Sequence, residues 1–527
     1  MKSNWKLAIS GLALAVSSSL HASVLPASQS GSDWYTDAQS RLMDKLNTNN
    51  RFKAKNVILF VGDGMGVSTL TSSRIHKGQL AGNPGEEGYL TFEAFPHTAL
   101  VKTYNVDAQT PDSAGTMTAM MSGLKTDVGV IGVDEDIERG NCATVAGNEV
   151  ITALELAEIK GLSTGIVSTA RITHATPAAT YAKSADRNWE DVSDMPEDAV
   201  SGGCKDIADQ LVNFESYLES RYTGIDVDGI EVVMGGGRRH FLPKEAAYNS
   251  SDAVSEIEGD RTDGRDLTAE WQSRYENGIY IYDQTGFDAI DTETTERVFG
   301  LFNESHMQYE ADRANDIAGE PSIAEMTEAA VNILDNNDNG FFLMVESGRI
   351  DHAHHAGNAA GALTDTLAFE QAVLAAYENT DPSETLILVT ADHGHVFTIA
   401  GYPKRGNPIL GKVVNVGAEE PATAADGMPY TTLGYTNGLG FRDLGSEGDS
   451  DEGYAYDIAT GRMDITSSDT TTPGYHQEAL IPLSSETHSG EDIALHATGP
   501  GSQLVQGVVE QNVVFHLVNQ ALGLIEE

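Results

Sequence analysis

Val57-Ile58-Leu59-Phe60-Val61-Gly62-Asp63-Gly64-Met65-Gly66 decides the fold. Its five consecutive apolar residues, too short for a helix and closed off by glycine, read as a strand buried on both faces. A carboxylate follows at once. Four further stretches share this build: Thr164-Gly165-Ile166-Val167-Ser168, Ile230-Glu231-Val232-Val233-Met234, Phe341-Phe342-Leu343-Met344-Val345 and Thr385-Leu386-Ile387-Leu388-Val389-Thr390. Between them lie segments with helical spacing, at Glu149–Lys160, Ser322–Asn332 and Leu363–Tyr377. Strands that alternate with helices imply parallel pairing and a sheet covered on both faces. The expected class is therefore α/β, a large, mostly parallel sheet in one domain over residues 23–527. Two insertions are expected on it: a polar, acidic one at about 245–320, and one rich in Gly, Thr, Asp and Pro at about 396–480.

The chain has 527 residues and a formal charge of −47, from 32 Lys and Arg against 79 Asp and Glu, while 40% of its residues are hydrophobic. That apolar share builds a core and excludes a disordered acidic protein. The charge repels polyanions, which argues against nucleic-acid binding. So large a surplus also repels itself and is relieved by screening, so a halophilic source is expected. Asp134-Glu135-Asp136 and the acids Glu447, Asp449, Asp451 and Glu452 read as solvated faces and loops.

Lys2 and Lys6 precede an apolar run, Leu7 to Val16, that ends in small residues. This is the pattern of a signal peptide over residues 1–22, with cleavage after Ala22 or, alternatively, Ala27. A membrane anchor needs ~18–20 apolar residues, and no later stretch supplies them. The expected location is periplasmic or secreted, with no membrane attachment once the peptide is removed. Cys142 and Cys204 are the two cysteines. In an exported chain such a pair reads as a disulfide rather than a metal site, because no Cys-x-x-Cys spacing accompanies it; two buried free thiols are the alternative.

The chemistry lies where polar residues follow strands. Asp63 follows the first; Glu346-Ser347-Gly348-Arg349-Ile350-Asp351-His352-Ala353-His354-His355 follows another; Asp392-His393-Gly394-His395 follows a third. Ligands of open parallel sheets bind outside the carboxyl ends of the strands, so three strands deliver Asp, Glu and His to one edge. Taken singly, each is an ordinary turn or helix start. Mixed carboxylate and imidazole donors suit zinc, oxygen donors suit magnesium, and there are more candidates than one ion needs. In Thr110-Pro111-Asp112-Ser113-Ala114-Gly115, Asp112 or Ser113 stands where a helix should begin. That position is either a plain N-cap or, beside cations, a nucleophile at a helix N-terminus. His76, His97, His240, His306, His476 and His496 stand alone and are given no role.

With these residues in view the chain resembles the alkaline phosphatase family. The matching segments are Asp63-Gly64-Met65-Gly66, Pro111-Asp112-Ser113-Ala114-Gly115, His174-Ala175-Thr176-Pro177-Ala178, Arg187-Asn188-Trp189, Glu346 to His355, Thr390 to His395 and Glu486 to Asp492, in the family's order. The resemblance implies hydrolysis of phosphate monoesters through a phosphoserine on Ser113, with two zinc ions and one magnesium. Asp351, His355 and His488 would hold the first zinc, Asp63, Asp392 and His393 the second, and Asp63, Thr176 and Glu346 the magnesium. Arg187 would clamp phosphate, with Asp112 and His174 in the outer shell and His352 near the phosphate. Histidine at both 174 and 352 resembles the animal type, and a nearby imidazole would let the third site take zinc. Cys142 and Cys204 fall where animal members carry a disulfide, and a homodimer is implied. Asn303 follows Phe302 where a carboxylate would be expected by similarity, so the calcium site of animal members is not carried over. The competing readings within the superfamily, a phosphodiesterase or a sulfatase, expect a threonine nucleophile or a formylglycine motif, and Ser113 lies in neither context.

Overall fold

All five apolar runs enter one ten-stranded sheet in the computed structural model, which describes residues 25–46, 52–445 and 458–525. The expected signal peptide and the acids Glu447, Asp449, Asp451 and Glu452 lie outside the described residues. In chain order the strands are β1 (Asn56–Gly62), β2 (His97–Lys102), β3 (Ser163–Arg171), β4 (Val232–Gly236), β5 (Gly278–Ile281), β6 (Arg297–Leu301), β7 (Phe341–Ser347), β8 (Thr385–Ala391), β9 (Ile493–Thr498) and β10 (Gly507–Glu510). They lie in the order β10-β2-β9-β8-β1-β7-β3-β4-β6-β5. Every pairing is parallel except the two made by β9.

Every residue of β1, β7 and β8 is buried, as a sheet covered on both faces requires. Helices Val67–Leu80, Ile323–Leu334 and Ala359–Glu378 pack together as one group, and Ser113–Ser122, Ala153–Ile159 and Val513–Leu522 as another. The helix expected from Glu149 starts only at Ala153. Thr152 stops it there with a capping box: its hydroxyl accepts from Glu155 N–H, and the Glu155 carboxylate accepts from Thr152 N–H.

The polar stretch at about 245–320 departs from expectation. It is not simply an insertion on the core, because it supplies β5 and β6 and so extends the central sheet to its far edge. The region at about 396–480 makes its own small sheets, from Phe397–Ile399, Leu433–Gly438 and Ala479–Pro482 and from Arg442–Asp443 and Tyr475–His476. Its apolar residues Phe397, Leu410, Leu433 and Tyr435 pack on Ala359 and Leu363, at the start of the long helix. Asp134 also departs from expectation: it is buried, and its carboxylate accepts from Asp136 N–H at 3.1 Å.

Cys142 and Cys204 form a disulfide with Cα atoms 5.9 Å apart, closing a loop that contains His174, Thr176 and Arg187. Among the described residues no helix is long and apolar enough to cross a membrane.

Candidate metal and phosphate site

The carboxyl ends of β1, β3, β7 and β8 lie side by side in the middle of the sheet, and the sequence delivers a chemical group at each. Asp63 follows β1. The turn after it needs glycine: Gly64 has φ of 70°, and a Cβ there would stand 2.3 Å from His395 Nε2. Asp392 and His393 follow β8, and Asp392 Oδ1 accepts from the N–H groups of Gly64 (3.0 Å) and His393 (2.8 Å). His393 Nε2 stands 3.5 Å from Asp63 Oδ1, 3.3 Å from Asp392 Oδ2 and 3.2 Å from Ser113 Oγ.

Ser113 opens the helix Ser113–Ser122, and Asp112 caps it. The cap does more than end a helix. One Asp112 oxygen accepts from Gly115 N–H (3.2 Å) and Asn105 Nδ2 (2.9 Å), the other from Gly129 N–H (3.0 Å) and Arg187 Nη1 (3.1 Å). Asp112 therefore fixes the nucleophile candidate and the guanidinium in one frame. Gly115 is required by this packing, since a Cβ would meet Asn105 Nδ2 at 2.1 Å.

Asp351 and His355 are four residues apart on the helix Arg349–His355, which follows β7, and so share a face. His355 Nδ1 lies 2.6 Å from the Glu486 carbonyl, and His488 Nδ1 lies 2.8 Å from the Pro111 carbonyl. Each carbonyl draws the ring proton to Nδ1 and leaves a lone pair on Nε2. These two Nε2 atoms face each other at 3.1 Å, and each is 3.4 Å from Asp351 Oδ1. Three lone-pair atoms converging this way repel one another unless a cation sits among them.

A second group of acids gives the same signal. Asp63, His174 and Glu346 bring one donor atom each within 4.8 Å of one another. Both Asp63 oxygens, Glu346 Oε1, Thr176 Oγ1 and His174 Nδ1 are buried without a hydrogen-bond partner. Burial and the charges of Asp392, Asp351 and Glu346 push the Asp63 carboxyl well above the usual carboxylate range, and burial first, then Asp392, takes Glu346 to about 8. Orphaned oxygens with crowded negative charge fit bound cations.

Arg187 reaches His174, with Nη2 3.2 Å from Nε2. Desolvation, then Arg187 and Arg171, hold the His174 imidazole down at about 3. His352 lies beside it, the two ring centroids 5.5 Å apart.

Thus Asp63, Asp392, His393 and Ser113 come together, as do Asp351, His355 and His488, and Asp63, His174 and Glu346. His395 and Glu486 were given no role from sequence, yet both belong here. His395 places Nε2 2.8 Å from Asp351 Oδ1 and Nδ1 2.5 Å from Glu486 Oε2. Burial opposes its charge, but these two carboxylates raise it to about 10. Their signal was alternation: His395 lies two residues beyond His393, and Glu486 two before His488. His306, isolated in the sequence, packs against His352 with ring centroids 4.1 Å apart and planes tilted by 59°.

Comparison with known proteins gives the family and the fold. The sequence profile of the family described as alkaline phosphatase matches residues 54–524. The tissue-nonspecific alkaline phosphatase isozyme of Homo sapiens is 41% identical over 519 residues, which covers 97% of this chain and 92% of that protein. Alkaline phosphatase of Gadus morhua is 40% identical over 493 residues, covering 93% and 96%. Among solved structures, Thermus thermophilus alkaline phosphatase has a TM-score of 0.61 at 24% identity, covering 90% of this chain and 92% of the other. The enzyme from the Antarctic bacterium TAB5 has a TM-score of 0.57 at 21% identity, covering 90% and 100%.

Proposed function

The chain belongs to the alkaline phosphatase family and is a phosphoric monoester hydrolase, and from that premise we propose that Ser113 is its nucleophile and passes through a phosphoseryl ester. One observation carries this reading: Ser113 Oγ stands 3.2 Å from His393 Nε2, inside the group formed with Asp63 and Asp392. Asp351, His355 and His488 would hold one zinc; Asp63, Asp392 and His393 a second; Asp63, Thr176 and Glu346 a magnesium. The His174 imidazole beside Asp63 and Glu346 supports zinc as an alternative at the third site. Bound cations there supply positive charge that lowers the pKa of a neighbouring hydroxyl and of a departing alcohol.

The chain's own groups do the rest. The Ser113 oxygen attacks phosphorus, the ester bond to the alcohol breaks, and the alcohol leaves with a proton. Water then attacks the phosphoserine, releasing inorganic phosphate and restoring the hydroxyl. Arg187, aligned in advance by Asp112, offers a planar fork to two phosphate oxygens, and the free N–H groups of the first helical turn face the same anion. Such positioning is what a loose phosphoryl-transfer transition state rewards. Nothing in this scheme selects the alcohol, so a broad range of small monoesters follows. The test is an acid quench during turnover of a radiolabelled monoester. Label is expected on Ser113 in the wild type and none in Ser113→Ala, whereas Arg187→Ala should keep its metals and bind phosphate more weakly. A labelled Ser113→Ala protein sinks the assignment.

The same reading includes export behind the signal peptide at 1–22, homodimerisation, and a high-salt habitat, supported by the Lys2-to-Ala22 pattern, by family membership and by the charge of −47 respectively. It keeps residues 23–527 as one catalytic domain with the 396–480 region as a crown on it. Activity and fold indifferent to removal of all added salt would overturn the salt part.

A further inference from the structure

Three imidazoles stand together beside Arg187. The centroids of His306 and His352 are 4.1 Å apart, those of His174 and His306 5.4 Å, and those of His174 and His352 5.5 Å. Each ring also has its own guanidinium. Arg187 Nη2 lies 3.2 Å from His174 Nε2, Arg349 Nη1 3.2 Å from His352 Nδ1, and Arg171 Nη1 2.5 Å from His306 Nε2. A guanidinium only donates, so Nδ1 of His352 accepts from Arg349 and the ring proton rests on Nε2.

Of the three rings, His306 comes from furthest away. It lies in the loop after β6, towards the edge of the sheet, while His174 and His352 follow the central strands β3 and β7. Arg171, the last residue of β3, brackets it: the side chain meets Nε2, and the main-chain nitrogen lies 3.2 Å from Nδ1. Whichever nitrogen carries the proton, the other accepts from Arg171. Arg171 is itself immobilised. Its guanidinium binds Glu190 twice, Nε to Oε2 at 2.8 Å and Nη2 to Oε1 at 2.6 Å. Glu190 also accepts from Thr173 Oγ1 at 2.6 Å and lies 3.3 Å from His240 Nε2, whose Nδ1 is 2.6 Å from Asp191 Oδ2. The line His240–Glu190–Arg171–His306 therefore ends against His352. Desolvation and Arg171 keep the His306 ring neutral, so it brings shape and contact, not charge.

We propose that His306 is a positioning residue for phosphate: gripped by Arg171 and Glu190, it fixes the pose of the His352 ring and thereby how tightly the site holds its anion. A half-buried imidazole left to itself samples several rotamers, and ordering it on binding costs affinity; a ring already braced avoids that cost. The proposal rests on the reading that His352 faces the phosphate, and the experiment separates the two.

The measurements are inhibition by inorganic phosphate, KM and kcat on one monoester, and metal content, for His306→Ala, His352→Ala and the double variant. His306→Ala is expected to raise the phosphate inhibition constant and KM about 5- to 10-fold while kcat changes less than about 2-fold. Metal content stays at the wild-type level. Because His306 acts through His352, adding His306→Ala to His352→Ala changes nothing further. Glu190→Gln, which loosens Arg171 and leaves every ring in place, gives a smaller rise of the same kind and serves if His306→Ala does not fold. Equal factors for His306→Ala with and without His352 overturn the proposal, as does an unchanged inhibition constant in His306→Ala and Glu190→Gln where His352→Ala raises it. An unchanged constant in His352→Ala overturns the underlying reading instead.

Discussion

The two ends of the central sheet both bury acids, and they treat them in opposite ways. At the amino end, Glu158 closes the helix Ala153–Ile159 and Glu231 precedes β4. Glu158 accepts from the Thr164 hydroxyl with one oxygen and from Gly229 N–H at 3.1 Å with the other. Glu231 accepts from Thr164 N–H at 2.7 Å and has Arg297 Nη2 at 3.7 Å. At the carboxyl end, both Asp63 oxygens and Glu346 Oε1 are buried without a hydrogen-bond partner, and only Glu346 Oε2 accepts, from the Ser168 hydroxyl. Burial and like charge raise carboxyl pKa values at both ends. What separates a structural acid pair from a cation site is therefore not burial or charge but whether the protein supplies the donors. One end satisfies its acids with its own donors; the other leaves oxygens that suit cations.

That contrast breaks most decisively at Asp392. Asp392→Ala should lose bound metal and lower kcat/KM on the order of 10³-fold or more, seen by metal analysis and phosphate release. Full metal content at an undiminished rate would erase the distinction between the ends. Chelation comes next. Stripping cations should lower unfolding stability by about 4 kcal/mol if the metals are held at some thousand times their Kd, read as a drop in Tm with and without chelator. Glu231→Gln should show the same drop, since its end of the sheet holds no ion. A smaller effect concerns pH. Burial raises the Glu231 carboxyl from its ordinary 4.5 to about 7. Such a group binds its proton more tightly folded than unfolded, so its contribution is complete below about 4.5 and is lost as pH rises through about 7. Glu231→Gln should flatten the decline in stability between pH 5 and 8 by about 1–3 kcal/mol, measured by denaturant unfolding across that range. An identical slope in both proteins would show that the pair carries no such strain. The mildest change is Thr164→Val, which takes the hydroxyl from Glu158 and should cost about 1 kcal/mol with activity unchanged.

Legibility in the sequence followed burial. Strands β1, β3, β4, β7 and β8 announce themselves because a strand covered on both faces is a continuous apolar run. β2 alternates exposed and buried residues, and β5 is mostly half-buried, so neither leaves that signature. This is also why the stretch at about 245–320 read as an insertion. Site residues at or directly after the end of a strand, Asp63, Glu346, Asp392 and His393, were visible from position alone. Asp112, Ser113, Arg187 and His174 gained meaning through resemblance. Glu190 and His306 are tied to the site by side-chain contacts, Arg171 to His306 spanning 135 residues, which no local pattern encodes, while His395 and Glu486, 91 residues apart, leave only their alternation with His393 and His488.

The disulfide has a consequence for survival in a protease-rich medium. Pro196, Glu197, Asp198, Ser201, Gly202 and Gly203 are exposed, and all lie between the two bridged cysteines. A nick there leaves two fragments that separate on a reducing gel and travel together on a non-reducing one. Arg187 sits upstream of such a cut and Asp206, which grips Arg261 at 3.0 Å, just downstream. The sulfur bridge keeps both pieces registered, so a clipped molecule retains Arg187 together with the fragment that carries Asp206.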